Sequence, residues 1–312
     1  MKKMNTILLI LALLNLQCNT EADPEIDQEN PFRMEYFNLA YASESNTQKL
    51  DIYLPVMVLE KNPVVVLIHG GAWRVGDKSN FRTNARWSEV VDTLRSRGYA
   101  VVPINYRLSG EAKFPAQIYD VKASIRWIKA NAENYKIDSE RIGVWGQSAG
   151  GHLAALAGVS ENIEVLEDFA QGNENVSSSI QAVVDWYGPT DFLKMDSMTI
   201  AQGCATANHS LANSGESELI GFPIESRSDL VALANPITYI TEVCPPFLIE
   251  HGLNDCTVPF GQGQLLYESL LPVLGSEHVK LNLLQNSGHG NGLFTEIATV
   301  ENVIDFLDAY LK

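Results

Sequence analysis

Basic residues are scarce in this 312-residue chain: 22 Lys and Arg stand against 38 Asp and Glu, a net charge of −16 at pH 7. No basic cluster interrupts the acidity. A surface of that kind repels phosphate backbones and anionic lipid, which excludes nucleic acid as a partner and leaves neutral or only locally charged substrates. Long apolar runs are lacking as well, because the N-terminal run at residues 7–14 is far shorter than the ~20 apolar residues of a membrane span. No internal repeat is visible, and cysteine is sparse, with 4 in all.

What is present at the N-terminus has the layout of a secretory signal: Lys2 and Lys3, the apolar run, then polar and acidic residues to Glu29. Cys18, followed by Asn19, Thr20 and acidic residues, resembles the lipidated cysteine of a bacterial lipoprotein signal, although Asn15, Leu16 and Gln17 depart from the usual Leu-small-small approach. The expectation is a signal peptide over 1–18 and a polar tether over 19–32. A lipid on Cys18 would be the one tie to a membrane. Lipidation and simple release both place the chain outside a bacterial cytoplasm, as a periplasmic, secreted or outer-membrane lipoprotein.

Three cysteines remain in the body, Cys204, Cys244 and Cys256. In an oxidising compartment one pair could bridge. Cys204 with Cys256 would tie the middle of the chain to the loop carrying Asp255; three unpaired buried thiols are the alternative.

Hydrophobic residues make up 46% of the chain and charged residues 19%, a composition that buries a sizeable core. One domain is expected over 33–312. Residues 50–54 read as an outer strand, and 64–68 as a strand buried on both faces. A helical stretch runs to residue 97, followed by a strand at 100–105 and a helix at 116–130, where Ile118, Val121, Ile125 and Ile128 form one apolar stripe. Further strands are expected at 141–145, 182–186, 246–250 and 279–284, and an amphipathic helix at 293–311. Alternation of this kind gives an α/β fold, a mostly parallel doubly wound sheet with helices on both faces. Residues 188–236, rich in Ser, Asn and Gly and without a period, are expected to form a lid or cap insertion.

Gly146-Gln147-Ser148-Ala149-Gly150 fits the G-x-S-x-G nucleophile elbow. Alone, the pattern is weak. Here it directly follows a strand and opens a helical run at 149–159, the sharp turn that lifts a serine hydroxyl above a sheet. A structural glycine turn is the bland alternative. A serine hydroxyl needs a base to remove its proton, and histidine is suited to that near neutral pH. In the order serine, acid, histidine, the late candidates are His251, His278 and His289. Sites on parallel sheets lie beyond the carboxyl ends of strands. His278 precedes its strand, whereas His289 follows one between glycines, so His289 is the expected base.

Asp255, beyond the strand at 246–250, is the expected acid that orients the imidazole. Asp191 is the runner-up. His69-Gly70-Gly71-Ala72-Trp73 follows an early strand where oxyanion donors are expected: the backbone N–H groups of Gly71 and Ala72, joined by that of Ala149. Removing one such donor typically costs about 3 to 4 kcal/mol. Trp73 is expected either to line the acyl pocket or to plug the core, and Arg107 and Asp120 to pair within the scaffold. This chemistry calls for no metal and no cofactor.

The set His-Gly-Gly-Ala-Trp, Asn105-Tyr106-Arg107, Gly-Gln-Ser-Ala-Gly-Gly-His and Asp-Cys-Thr-Val-Pro resembles the esterase branch of the α/β-hydrolases, particularly the BD-FAE-like feruloyl esterase and acetylxylan esterase group. The resemblance spans roughly 33–312. It implies the α/β-hydrolase fold and a serine carboxylesterase that removes acetyl or feruloyl groups from plant polysaccharide or oligosaccharide, with a small ester or acylated saccharide as substrate. Ala72 stands where a third glycine is usual, but it keeps a backbone donor. His-Gly-Gly-x-Trp also resembles kynurenine formamidases, against which the export signal counts. An exported serine peptidase on the same fold is a further reading, lowered by the lack of a propeller-like domain. An inactive carbohydrate-binding lipoprotein is opposed by the intact set of site residues.

Overall fold

Residues 62–68 show how the sequence builds the centre of the molecule. In the computed structural model, which describes residues 25–26 and 34–312, all seven are buried in one strand. Alternate side chains point to opposite faces of a strand. Val64, Val66 and Ile68 therefore join one core layer, while Val65 and Leu67 join the other. Each such side chain contributes about 1.5–3 kcal/mol by leaving water.

The strands are β1 (Glu25–Ile26), β2 (Met34–Ala40), β3 (Lys49–Tyr53), β4 (Asn62–Ile68), β5 (Ala100–Ile104), β6 (Ile137–Gln147), β7 (Ala182–Trp186), β8 (Phe247–Gly252) and β9 (Val279–Leu284). The helices are α1 (Asn80–Thr83), α2 (Ala85–Ser96), α3 (Ala116–Ala130), α4 (Ala149–Val159), α5 (Phe192–Ala201), α6 (Gly215–Ile220), α7 (Ser228–Ala234), α8 (Gly261–Leu274) and α9 (Ile297–Leu311). Among the described residues one nine-stranded sheet has the order β1-β2-β3-β5-β4-β6-β7-β8-β9. β1, β2 and β3 run antiparallel to their neighbours, and β5 through β9 are mutually parallel. Ile118, Val121 and Ile125 of α3 pack with α4 against one face; Val91 and Leu94 of α2 pack with Val303 and Leu307 of α9 against the other.

After β4 the chain goes to β5 on one side and then to β6 on the other. Such a reversal of strand order opens a crevice at the carboxyl ends of the strands. Residues 69–71 and Ser148 leave β4 and β6 at that crevice.

Some expectations need correction, and one, the Cys204–Cys256 bridge, is met. The signal peptide and Cys18 lie outside the described residues, but the expected tether contains β1, paired antiparallel with β2. The insertion at 188–236 is largely helical, and three of its Ser, Asn and Asp residues serve as caps, with Asp191 capping α5, Ser214 capping α6 and Asn235 capping a closing 3-10 turn. The last helix begins at Ile297 rather than 293, because Glu296 is extended and Gly292–Thr295 form a separate 3-10 turn. Cys204 and Cys256 are bridged, with Cα atoms 5.6 Å apart, and Cys244 is free. Among the described residues no helix is long and apolar enough to cross a membrane.

Candidate active site

Ser148 sits between β6 and α4 with φ 54° and ψ −122°, a conformation that costs a non-glycine residue of order 1–3 kcal/mol. Neighbouring backbone holds it there. Its N–H donates to the Trp186 carbonyl at 2.8 Å, and its own carbonyl accepts from His152 N–H at 3.0 Å. The flanking glycines are requirements of space: a side-chain carbon at Gly146 would fall 1.9 Å from the Gly150 carbonyl oxygen, and one at Gly150 would fall 2.1 Å from that of Ile68. The turn thus seats the start of α4 directly on the ends of β4 and β6.

Ser148 Oγ lies 2.9 Å from His289 Nε2, and His289 Nδ1 lies 2.7 Å from Asp255 Oδ2. The other oxygen of Asp255 accepts from Thr257 N–H at 2.8 Å and Val258 N–H at 2.9 Å. Burial pushes this carboxyl up, but hydrogen bonds from His251 and His289 and the charge of both rings outweigh burial and hold it well below the usual carboxylate range. A carboxylate can only accept, so Nδ1 of His289 carries its proton and the Nε2 lone pair faces the serine hydroxyl. That is the tautomer a general base needs.

The other candidates fall elsewhere. Asp191 accepts from Leu193 N–H at 3.1 Å as the cap of α5 and pairs with Lys194 at 3.3 Å. The His278 ring packs on Tyr310. His251 lies behind the acid, fully buried, donating to the Val258 carbonyl at 2.9 Å with Asp255 Oδ2 at 3.5 Å. Tyr187, which carries no motif, presses its ring against His289 at 4.7 Å between centroids and donates to Gln147 Oε1 at 2.9 Å.

Gly71, Ala72 and Trp73 have φ of 112°, 51° and 57°, three successive left-handed residues that turn the backbone toward the serine. A side-chain carbon at Gly70 would lie 3.2 Å from Ser148 Cβ, so this loop runs against the elbow. The N–H groups of Gly71, Ala72 and Ala149 make no backbone hydrogen bond among the described residues. Ala149 also opens an 11-residue helix, whose N-terminal dipole favours negative charge. The Asn105-Tyr106-Arg107 motif supports the loop from below: Tyr106 donates to the His69 carbonyl at 3.0 Å, Asn105 donates to Asp77 at 2.8 Å, and Arg107 pairs with Asp120 at 2.7 Å.

Two cavities meet at Ser148. The smaller, about 300 Å³, is walled by Ala72, Trp73, Leu211, Val258 and the pair His209 and Glu216. The insertion therefore forms one side of the site. The larger, about 840 Å³ and open to solvent, is lined by Asn80, Trp87, Gln147, Tyr187 and His289. Trp73 is only 1% exposed and packs on His152 and Phe192, as a core plug does, and it also borders the smaller cavity. Among the described residues no group of three or more His, Cys, Asp or Glu is placed to hold a metal ion.

The BD-FAE family model matches residues 50–270. Esterase LipC of Mycobacterium tuberculosis is 32% identical over 228 residues, covering 73% of this chain and 53% of LipC. The chain spans about half the length of the curated relatives it matches. Among solved structures, a truncated carbohydrate esterase from gut microbiota is 31% identical with a TM-score of 0.80, covering 91% of this chain and 99% of that one. A bifunctional GH43-CE protein of Bacteroides eggerthii is 37% identical with a TM-score of 0.76, covering 88% of this chain and 38% of that one. The matched span contains both the elbow and the loop at 69–73, and the chain belongs to the BD-FAE family of α/β-hydrolases.

Proposed function

We propose that this chain is an exported serine carboxylesterase that removes acetyl or feruloyl groups from plant polysaccharide or oligosaccharide esters. The observation that carries the chemistry is the unbroken line of hydrogen bonds from Asp255 Oδ2 through the His289 ring to Ser148 Oγ. Ser148 Oγ attacks the ester carbonyl as His289 Nε2 takes its proton. The carbonyl oxygen, now negative, is held by the N–H groups of Gly71, Ala72 and Ala149. Collapse breaks the bond to the alcohol oxygen, which receives the proton from His289. Water, activated by the same nitrogen, then attacks the acyl-serine, and the proton returns to Ser148 as the acid leaves.

The saccharide part of the reading is supported by the carbohydrate esterases among the similar structures and by the lining of the larger cavity. Trp87 borders it beside Asn80 and Gln147, an aromatic ring with amides around it that suits the saccharide portion of an ester. Export is supported by the N-terminal pattern of Lys2, Lys3 and the apolar run, and by a Cys204–Cys256 bridge of the kind that persists in oxidising compartments. The test is kcat/KM on acetylated xylan, methyl ferulate, p-nitrophenyl esters of graded length and aminoacyl amides. Faster cleavage of amides than of esters would overturn the reading.

A further inference from the structure

The smaller cavity has a polar wall that the acyl-transfer steps leave unused. His209 and Glu216 both come from the 188–236 insertion and are buried, 9% and 7% exposed. His209 Nδ1 lies 3.0 Å from Glu216 Oε1. The backbone N–H of His209 donates to Asp196 Oδ1 at 2.8 Å, and Ser210 donates to the same carboxylate, so α5 fixes the backbone at His209 while Glu216 of α6 holds the ring. Because the Glu216 carboxylate accepts, Nδ1 is the nitrogen that carries hydrogen. Nε2 has no hydrogen-bond partner among the described residues.

The chemistry decides which part of an ester occupies this cavity. His289 must protonate the departing alcohol oxygen, so the alcohol leaves on the side that His289 lines. That side is the larger cavity; His289 does not border the smaller one. The acyl group is left to the smaller cavity, whose volume of about 300 Å³ is at the lower end of those that enclose whole ligands. An acetyl group would leave most of it to water.

Resting on the acyl-enzyme reading above, we propose that His209 is a specificity-determining residue whose Nε2 hydrogen-bonds a hydroxyl at the far end of the acyl group. A hydroxyl suits the ring in either charge state, since it donates to a neutral Nε2 and accepts from a protonated one. Burial pushes the His209 pKa down, and the carboxylates of Glu216, Asp196 and Asp255 together raise it above the ordinary histidine value. A carboxylate at that end of the acyl group is disfavoured by Glu216 beside it. Trp73, Leu211 and Val258 supply the apolar walls for the carbon skeleton between the ester and the hydroxyl.

The test compares kcat/KM for methyl 4-hydroxycinnamate and methyl cinnamate, each divided by its rate of non-enzymatic hydrolysis near neutral pH, where the phenol is un-ionised, so that ring electronics cancel. The wild-type chain is expected to favour the hydroxylated ester by about tenfold or more. His209→Leu brings that ratio close to one, and Glu216→Gln, which loosens the hold on the ring, gives a ratio between the two. Taking the ratio within each protein removes any general loss of rate. A wild-type ratio near one, or an undiminished ratio in His209→Leu, would overturn the proposal; where His209→Leu does not fold, the wild-type ratio and Glu216→Gln decide it. Wild-type turnover of p-nitrophenyl acetate separates the two layers. If acetate is released but the hydroxyl preference is missing, only the role of His209 falls; if no ester is cleaved, the acyl-enzyme reading falls and this one with it.

Discussion

Cys256 is bonded to Cys204 and stands in the chain between Asp255 and Thr257, the residue whose N–H holds the acid's second oxygen. The bridge thus fastens the helical insertion to the turn that fixes the acid. Its removal is expected to act on both. Cys204→Ser together with Cys256→Ser closes no loop across the sequence separation of 52 residues, and the loss of stability should be about 2–4 kcal/mol. Denaturant unfolding measures that loss, and kcat/KM in the folded double variant should fall as well. Cys244→Ser, at a free thiol, is the control and should change neither.

Asp255 and Asp191 were the two acids open to the sequence, and the structure gives them different work. Asp255→Asn removes the acceptor that sets the His289 tautomer, so kcat should drop by roughly 10²–10⁴ with the fold retained. Asp191→Asn keeps a capping side chain at α5 and should leave kcat within about threefold. Steady-state kinetics on p-nitrophenyl acetate compares them. A larger loss in Asp191→Asn would reverse the assignment.

Asp185 makes stability depend on pH in the opposite sense to Asp255. Burial pushes the Asp185 carboxyl up to about 6, against which the charge of His251 and the Gly188 N–H hold it only partly. A folded pKa above the unfolded value of 3.8 means that the native chain binds the extra proton between those two values, so this group's contribution is complete below pH 3.8 and is lost as pH rises through about 6. Asp185→Asn keeps the oxygen that accepts from Gly188 and cannot ionise. It should raise stability at pH 8 by at most about 3 kcal/mol and change little at pH 4. Urea midpoints at the two pH values check this. Asp255, held low, contributes stability that is present above its unfolded value and lost as pH falls well below it.

The parts of the site that were legible in the sequence are those written by local rules. The elbow is five contiguous residues between a buried strand and a helix, and Asp255 and His289 each follow a strand where a parallel sheet delivers its side chains. The parts that were not legible depend on packing between distant segments. His209 gains its meaning from Glu216 across α6 and from Asp196 on α5, and nothing in the residues around it marks a cavity wall. His251 and Tyr187 lie at strand ends and reach the site through their contacts with Asp255 and His289. β2 is an outer strand with a weak alternation of exposure, and α8 opens on Gly261 and Gly263 and carries Pro272, all of which mask helical spacing. The insertion misleads for a related reason: capping residues at the ends of short helices look like loop composition.

The Ser148 hydroxyl as nucleophile is the claim on which the chemistry rests, and covalent labelling by a fluorophosphonate, located by peptide mass spectrometry, tests it most directly. The folded wild-type chain should take up one equivalent on Ser148. Ser148→Ala should take up none and lose at least about a thousandfold in kcat while unfolding at the wild-type midpoint. An unlabelled wild-type chain, or an adduct on another residue with Ser148→Ala still active, would contradict the account.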